Sequence, residues 1–209
     1  MKNHHNICGI DEAGRGALAG PLFASAVFLT KTQSEKLNRS KHKIIDSKLL
    51  RPAQRKTIIA YLKGININIE IEIISTRSIN NHGIGWANKE IIRRLVRKVD
   101  SNRFIIDGNL KLGRFRKKIE SIKSIPKADS THLPVILAGI IAKHHRDMYM
   151  QEISQNFPQY GWEQNAGYGT KKHIKEIINS GPTRYHRNIF VHTAINNHQI
   201  NQHKKLSES

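Results

Sequence analysis

An α/β fold is predicted by three features of this 209-residue sequence. Short apolar runs end on carboxylates and turn residues, isoleucines alternate with polar residues over Ile65–Ile73, and stretches with helical apolar spacing lie between them. Strands that need one face covered and helices that need one stripe covered satisfy each other in a layered α/β domain.

Ile7–Ile10 reads as a first strand that runs into Asp11 and Glu12 and then into the glycine-rich turn Gly14-Arg15-Gly16. Leu22–Leu29 is apolar and aromatic enough for a second strand, and Asp46-Ser47-Lys48 falls in a polar connection. Pro52 suits the first turn of a helix, where its missing amide proton costs little, and that helix runs to about Lys63 before Gly64 stops it. Ile65, Ile67, Ile69, Ile71 and Ile73 then alternate with Asn66, Asn68, Glu70 and Glu72, the period of a strand buried on one face. From Ala87 to Val99, Ile91, Ile92, Leu95, Val96 and Val99 form one helical stripe, and Lys89, Arg93, Arg94, Arg97 and Lys98 the opposite one.

Phe104-Ile105-Ile106 is a short strand leading into Asp107-Gly108-Asn109, and a run from Ile119 ends on a further carboxylate, Asp129. Leu133–Met150 reads as a long helix. Beyond it, Phe157–Trp162 and Gly167–Thr170 make a loop rich in aromatics and glycine. Thr170 is placed to cap a helix over Lys171–Ser180 that Gly181-Pro182 closes. Past about Thr193 the chain is polar, and a frayed tail is expected.

Lys and Arg number 35 against 16 Asp and Glu, so the formal charge of +19 favours a polyanionic partner, nucleic acid first. The competing explanation is a composition rich in Lys and Ile that raises surface charge everywhere. Cys8, the single cysteine, rules out an internal disulfide and reads as a small hydrophobe in an apolar strand. Met1–Asn6 lacks the apolar run of a secretory signal, and no stretch approaches the roughly 18 apolar residues of a membrane span. A soluble cytoplasmic protein is expected.

The chemistry is carried by carboxylates. If the strands ending on Asp11 with Glu12, on Asp107 and on Asp129 neighbour one another, the acids converge on one sheet edge, where sites form in open α/β sheets. Gathered carboxylates repel unless cations neutralise them, and hard oxygen donors suit Mg²⁺ or Mn²⁺. A single Asp at a strand end is more commonly a turn former, which competes for Asp107 and Asp129 taken separately. Asp11-Glu12, between an apolar strand and an arginine flanked by glycines, resists that explanation. Two cations about 4 Å apart would activate a water and stabilise a leaving oxygen at a scissile phosphate. Glycines leave room for a sugar-phosphate chain, and Arg15 offers it a planar fork of donors.

Gly14-Arg15-Gly16 is weak support for a dinucleotide fold, and no Lys-Ser or Lys-Thr completes a phosphate-binding loop, so kinase-like and dehydrogenase-like readings lose ground. His4-His5 and His144-His145 lack the frames that hold zinc. Tyr160 and Trp162 could stack on bases, but beside Pro158 and Gly161 they more readily pin a loop to the core.

Asp11-Glu12-Ala13-Gly14-Arg15-Gly16 with Leu18-Ala19-Gly20-Pro21, then Asp46-Ser47-Lys48, Asp107-Gly108 and Lys127-Ala128-Asp129-Ser130 follow one another along the chain. Ala142-Lys143, Arg146-Asp147, Tyr160-Gly161, Gly167-Tyr168-Gly169-Thr170, His173, Gly181-Pro182 and His186-Arg187 continue the series. Over roughly Ile7–Phe190 this set resembles ribonuclease HII, the type 2 ribonuclease H of bacteria.

The resemblance implies a ribonuclease H-like fold, with a central mixed sheet flanked by helices and a small C-terminal helical region. The corresponding division is a catalytic domain over 1–150, a substrate-closing helical region over 151–192 and a polar tail over 193–209. It implies a monomeric endoribonuclease using two divalent cations, Mg²⁺ or Mn²⁺. Such an enzyme cuts the RNA strand of RNA–DNA hybrids and incises at single ribonucleotides embedded in duplex DNA, leaving 5′-phosphate and 3′-hydroxyl ends. Asp11, Glu12, Asp107 and Asp129 match the catalytic, metal-binding acids. Gly14, Arg15 and Gly16 match the segment that senses the 2′-hydroxyl, and Tyr168 the tyrosine that reads the ribonucleotide junction; the 2′-hydroxyl is what separates RNA from DNA. Lys48, with Lys143, Arg146 and His186, is a candidate phosphate contact, against the alternative of an ordinary solvated or ion-paired side chain.

The chain departs from the family pattern at Ala128, where glycine is usual, and at Pro134–Gly139, where a run of small residues is usual. It also departs at Ala166, usually lysine, and at Asn80, usually an acid. Two other readings stay open: a nucleic-acid-binding protein of this fold without catalysis, and a nuclease for another substrate.

Overall fold

The computed structural model describes residues 7–113, 115 and 119–207. Met1–Asn6, His4 and His5 among them, lie outside the described residues, as do Glu208 and Ser209 of the expected tail. The chain opens with strands β1 (Ile7–Ala13) and β2 (Leu22–Leu29), helices α1 (Lys31–Asn38) and α2 (Pro52–Gly64), and β3 (Asn68–Ile74). Helices α3 (Thr76–His82) and α4 (Ile84–Lys98) lead to β4 (Arg103–Asp107) and β5 (Ser121–Ile125). The short α5 (Ala128–Thr131) and long α6 (Leu133–Ser154) follow, then α7 (Trp162–Asn165), α8 (Lys171–Ser180) and α9 (Asn188–Ser207).

The sheet has the order β3-β2-β1-β4-β5 and is mixed: β2 runs antiparallel to β1, whereas β4 runs parallel to both β1 and β5. The long crossovers that parallel pairing demands are supplied by α2 to α4 and by the 108–120 connection. This order makes β1 the middle strand and seats it beside β4, the two strands that carry Asp11, Glu12 and Asp107.

Two compact units share the chain. The sheet unit takes Met1–Ala13, Phe23–Ile73 and Asn88–His145; the helical unit takes Gly14–Leu22, Ile74–Ala87 and Arg146–Ser209. The β1–β2 connection and α3 belong with the C-terminal helices in the helical unit. In the sheet unit, Val27 and Leu29 of β2 pack with Ile58, Ile59 and Leu62 of α2 and with Ile136–Ile141 of α6. Ile91, Ile92, Leu95 and Val96 of α4 are fully buried, as their spacing predicts, and Cys8 is buried as a small hydrophobe. The helical unit centres on Leu18, Ala19, Met150, Ile153, Tyr160, Trp162, Ile177 and Val191.

Two elements differ from expectation. β3 begins at Asn68 rather than Ile65, because Ile65 caps α2 and Asn66 turns the chain with φ of 55°. As an edge strand β3 leaves Ile73 47% exposed, so its alternating isoleucines do not define one dry face. The segment past Thr193, expected to fray, is helical to Ser207 as part of α9, whose Phe190, Val191, Ala194 and Ile195 pack on the helical-unit core. That apolar stripe at helical spacing outweighs the polar composition around it.

Candidate active site

Asp11 is 8% exposed and lies in the middle of the sheet, its Oδ1 accepting a 2.7 Å hydrogen bond from the Glu12 amide. Its carboxylate occupies the ground beside Gly139 of α6, where a Cβ would overlap Oδ2. Burial holds the Asp11 carboxyl well above the usual carboxylate range, and the charges of Glu12, Asp107 and Asp129 push it the same way. Asp107, at the end of β4, is also raised, by burial first and by Asp129 second; the Asp129 amide, 3.4 Å from Asp107 Oδ1, works in the opposite direction. The acids proposed from sequence thus act on one another as like charges within the sheet unit. Among the described residues, however, no group of three or more His, Cys, Asp or Glu side chains is gathered closely enough to hold a metal ion as the side chains stand.

Asp129 is not at a strand end as expected; it sits in the first turn of α5, two elements after β4 in the chain. Lys48 Nζ reaches its Oδ2 at 3.2 Å. The Asp46 side chain accepts from the Lys48 amide at 3.0 Å and caps the turn Ser47–Leu49, and Arg55 donates to the Ser47 and Leu50 carbonyls, so the Asp46-Ser47-Lys48 connection is anchored at both ends. Burial works against the Lys48 ammonium, yet its bond to Asp129 and the charges of Asp46, Asp129 and Asp11 raise its pKa.

Gly14, Arg15, Gly16 and Tyr168 all lie in the helical unit. Gly14 has φ of 93°, and a Cβ there would run into the Arg146 guanidinium, so the turn needs glycine twice over. Arg15 and Gly16 are exposed, and Tyr168 is 38% exposed. Leu18 and Ala19 amides both donate to the Gly167 carbonyl, at 2.8 and 3.1 Å, which ties the glycine turn to the Tyr168 segment.

Two buried arginines organise this region. Arg146 donates to the carbonyls of Pro21, Ala166 and Ala19 at 3.2, 2.9 and 3.1 Å, and its guanidinium lies 5.3 Å from the centre of the Tyr168 ring. Arg187 donates to Gly20 and Arg15 carbonyls at 3.0 and 2.9 Å. Both are fully buried, so the reading of Arg146 as a phosphate contact is corrected: its donors are spent on backbone carbonyls. His186 is fully buried too and meets no solvent. The sequence places Arg187 in a motif but gives it no role, since carbonyl partners far apart in the chain leave no spacing to read. Tyr160 and Trp162 stack at 5.1 Å inside the core, in keeping with the pinning role.

The departures have local explanations. Ala128 packs with Ile7, Ile105 and Val135, and the left-handed residue there is Lys127, φ 61°, so no glycine is required at 128. Ala166 is left-handed itself, φ 47°, and gives its carbonyl to Arg146. Asn80 donates to the His186 carbonyl and accepts from the Asn188 amide, both at 3.0 Å, a double role an acid cannot fill.

A mixed five-stranded sheet bearing mutually repelling acids on its central strand, on its parallel neighbour and just past the next strand defines a hydrolase of the ribonuclease H-like fold. The ribonuclease H2 of Pyrococcus horikoshii OT3 superposes with a TM-score of 0.74 at 20% identity, over 90% of this chain and 96% of that one. The family model for ribonuclease HII matches residues 8–194. A ribonuclease HII of Clostridium botulinum is 35% identical over 193 residues, 90% of this chain and 69% of that protein. One of Aliarcobacter butzleri is 35% identical over 203 residues, 96% and 98% of the two chains. The chain belongs to the ribonuclease HII family, and is a metal-dependent nuclease with ribonuclease H activity on RNA–DNA hybrids. Among the described residues no helix is long and apolar enough to cross a membrane.

Proposed function

We propose that this ribonuclease HII incises at single ribonucleotides embedded in duplex DNA as well as within hybrids, as a cytoplasmic monomer serving ribonucleotide excision repair. Asp11, Glu12, Asp107 and Asp129 would hold two divalent cations, Mg²⁺ or Mn²⁺. The donor set fits: all four are hard oxygen ligands, and Asp11, raised by burial first, is raised further by the neighbouring acids, a repulsion that a divalent charge relieves. Bound there, such cations would supply an activated water and charge stabilisation for the departing oxygen, and the cut would leave 5′-phosphate and 3′-hydroxyl ends.

The chain's own residues perform the rest. Gly139 leaves room for the Asp11 carboxylate beside α6, and the α5 amides hold Asp107. Lys48, 74% exposed at its side chain and tied to Asp129, offers its remaining donors to a phosphate of the substrate. Arg15, on an exposed turn backed by Arg146 and Arg187, meets the ribose 2′-hydroxyl, and Tyr168 reads the junction to deoxyribose.

The observation that carries this reading is the placement of Asp11 and Glu12 on β1 beside Asp107 at the end of the parallel β4, with the Asp129 amide reaching Asp107. Its test is cleavage of a DNA duplex with one ribonucleotide, beside an RNA–DNA hybrid, with and without each metal. Metal-dependent cutting at the ribonucleotide, lost in Asp11→Asn, is expected; cutting of the hybrid alone refutes the embedded-ribonucleotide reading, and full activity without Asp11 refutes its assignment.

A further inference from the structure

His173 and His186 are fully buried in the helical unit and belong to none of the roles above. Their protons can be assigned, because each ring accepts from a donor that cannot itself accept. The Trp162 indole N–H can only donate, and it meets His173 Nε2 at 3.0 Å. That nitrogen carries the lone pair, so the ring proton of His173 is on Nδ1, 2.9 Å from the Tyr168 carbonyl oxygen. The Thr183 amide can likewise only donate, and it meets His186 Nδ1 at 2.8 Å. The proton of His186 is therefore on Nε2, which faces His173 Nε2 at 3.2 Å. Burial lowers the pKa of both rings, that of His186 to about 4 with help from its neighbour, so the neutral forms on which this assignment depends persist at neutral pH.

From Thr183 the donors run through His186 and His173 to Tyr168, with the Trp162 indole sharing the one lone pair of His173 Nε2 with His186. The ring of Tyr168 is meanwhile covered on one side by Arg146. Neither histidine is exposed, so neither touches a substrate. We propose that His186 and His173 are positioning residues for ribose recognition, a one-way hydrogen-bond relay that fixes the backbone of Tyr168 and so presents its ring to the ribonucleotide in one orientation. The proposal rests on the reading of Tyr168 as the junction-sensing residue.

Nitrogen-15 NMR of the wild-type chain at neutral pH reads both tautomers without any variant. Nδ1–H on His173 with Nε2–H on His186 is the expected result; the opposite tautomer on either ring, or an imidazolium, overturns the relay. The functional arm uses His186→Asn, whose side-chain oxygen still accepts from Thr183 but whose amide is too short to reach His173. On a duplex with one embedded ribonucleotide, KM should rise about fivefold, the effect of one lost hydrogen bond, with kcat little changed. In a Tyr168→Ala background the same substitution should raise KM no further. An equal rise in both backgrounds overturns the relay. If Tyr168→Ala alone leaves KM unaltered, the junction reading of Tyr168 falls, and with it the relay's part in recognition, whatever the tautomers show.

Discussion

The Asp11 carboxylate lies against Gly139 of α6, in the space a Cβ on that glycine would fill. Position 139 is one of the chain's departures from the family pattern, and here it shapes the acid centre directly.

Gly139→Ala should push Asp11 off its place. Overpacking at such a contact costs about 1–3 kcal/mol, so a lowered midpoint in thermal unfolding is expected, with hybrid cleavage down about tenfold or more. Cleavage at the wild-type rate would mean that the carboxylate works equally well elsewhere.

Asp11→Asn should separate stability from activity. The carboxyl of Asp11 is raised in the fold, so its favourable contribution is complete only below the unfolded carboxylate pKa and is lost as pH rises through the folded value. Above the usual carboxylate range the buried carboxyl costs the wild type stability that Asn does not lose. Denaturant unfolding should show the variant more stable there, with the advantage shrinking as pH falls toward the usual carboxylate range, while cleavage is abolished.

The histidine pair predicts an acid-side loss of stability. The pKa of His186 is lowered from 6.5 to about 4, so its contribution is full above pH 6.5 and is lost as pH falls through that window toward 4. Unfolding free energies measured from pH 7 to 4 should fall less steeply in His186→Asn than in the wild type. Parallel slopes would assign the acid loss to other groups.

Arg187→Lys keeps a cation but loses the fork that serves the Gly20 and Arg15 carbonyls together. One buried carbonyl left without its donor should cost about 1–3 kcal/mol in stability. Cleavage should weaken more on the embedded ribonucleotide than on a continuous hybrid, where neighbouring riboses offer alternative registers; an equal loss on both would show that Arg187 serves stability alone.

Asn80→Asp, which restores the acid usual in the family, should destabilise rather than improve this chain. The carboxylate can still accept from Asn188 but meets the His186 carbonyl as a second acceptor. A loss of about 1–3 kcal/mol in chemical unfolding is expected.

Local chemistry was legible where one element makes its own case. Pro52, the α4 stripe and Thr170 ahead of Lys171–Ser180 each placed a helix, and Leu22–Leu29 fixed its strand, because spacing, capping and apolar runs act within a few residues. The acids Asp11, Glu12, Asp107 and Asp129 were legible as a family motif in order along the chain. β3 was misjudged at its start because periodicity does not report a left-handed Asn66, and α9 because composition hid a short apolar stripe.

The sequence by itself determined the family, through motifs in order along the chain, and most of the elements that bear them, since residue type and near-neighbour spacing are written in one dimension. Only the tertiary structure decided that Asp129 rides on a helical turn with Lys48 bound to it, that Gly139 makes room for Asp11, and that Arg146, Arg187, His173 and His186 are buried supports rather than surface contacts. Those outcomes depend on carbonyls, ring nitrogens and excluded volume brought together from distant parts of the chain, and a buried polar side chain takes its role from whichever partners the fold sets within hydrogen-bond reach.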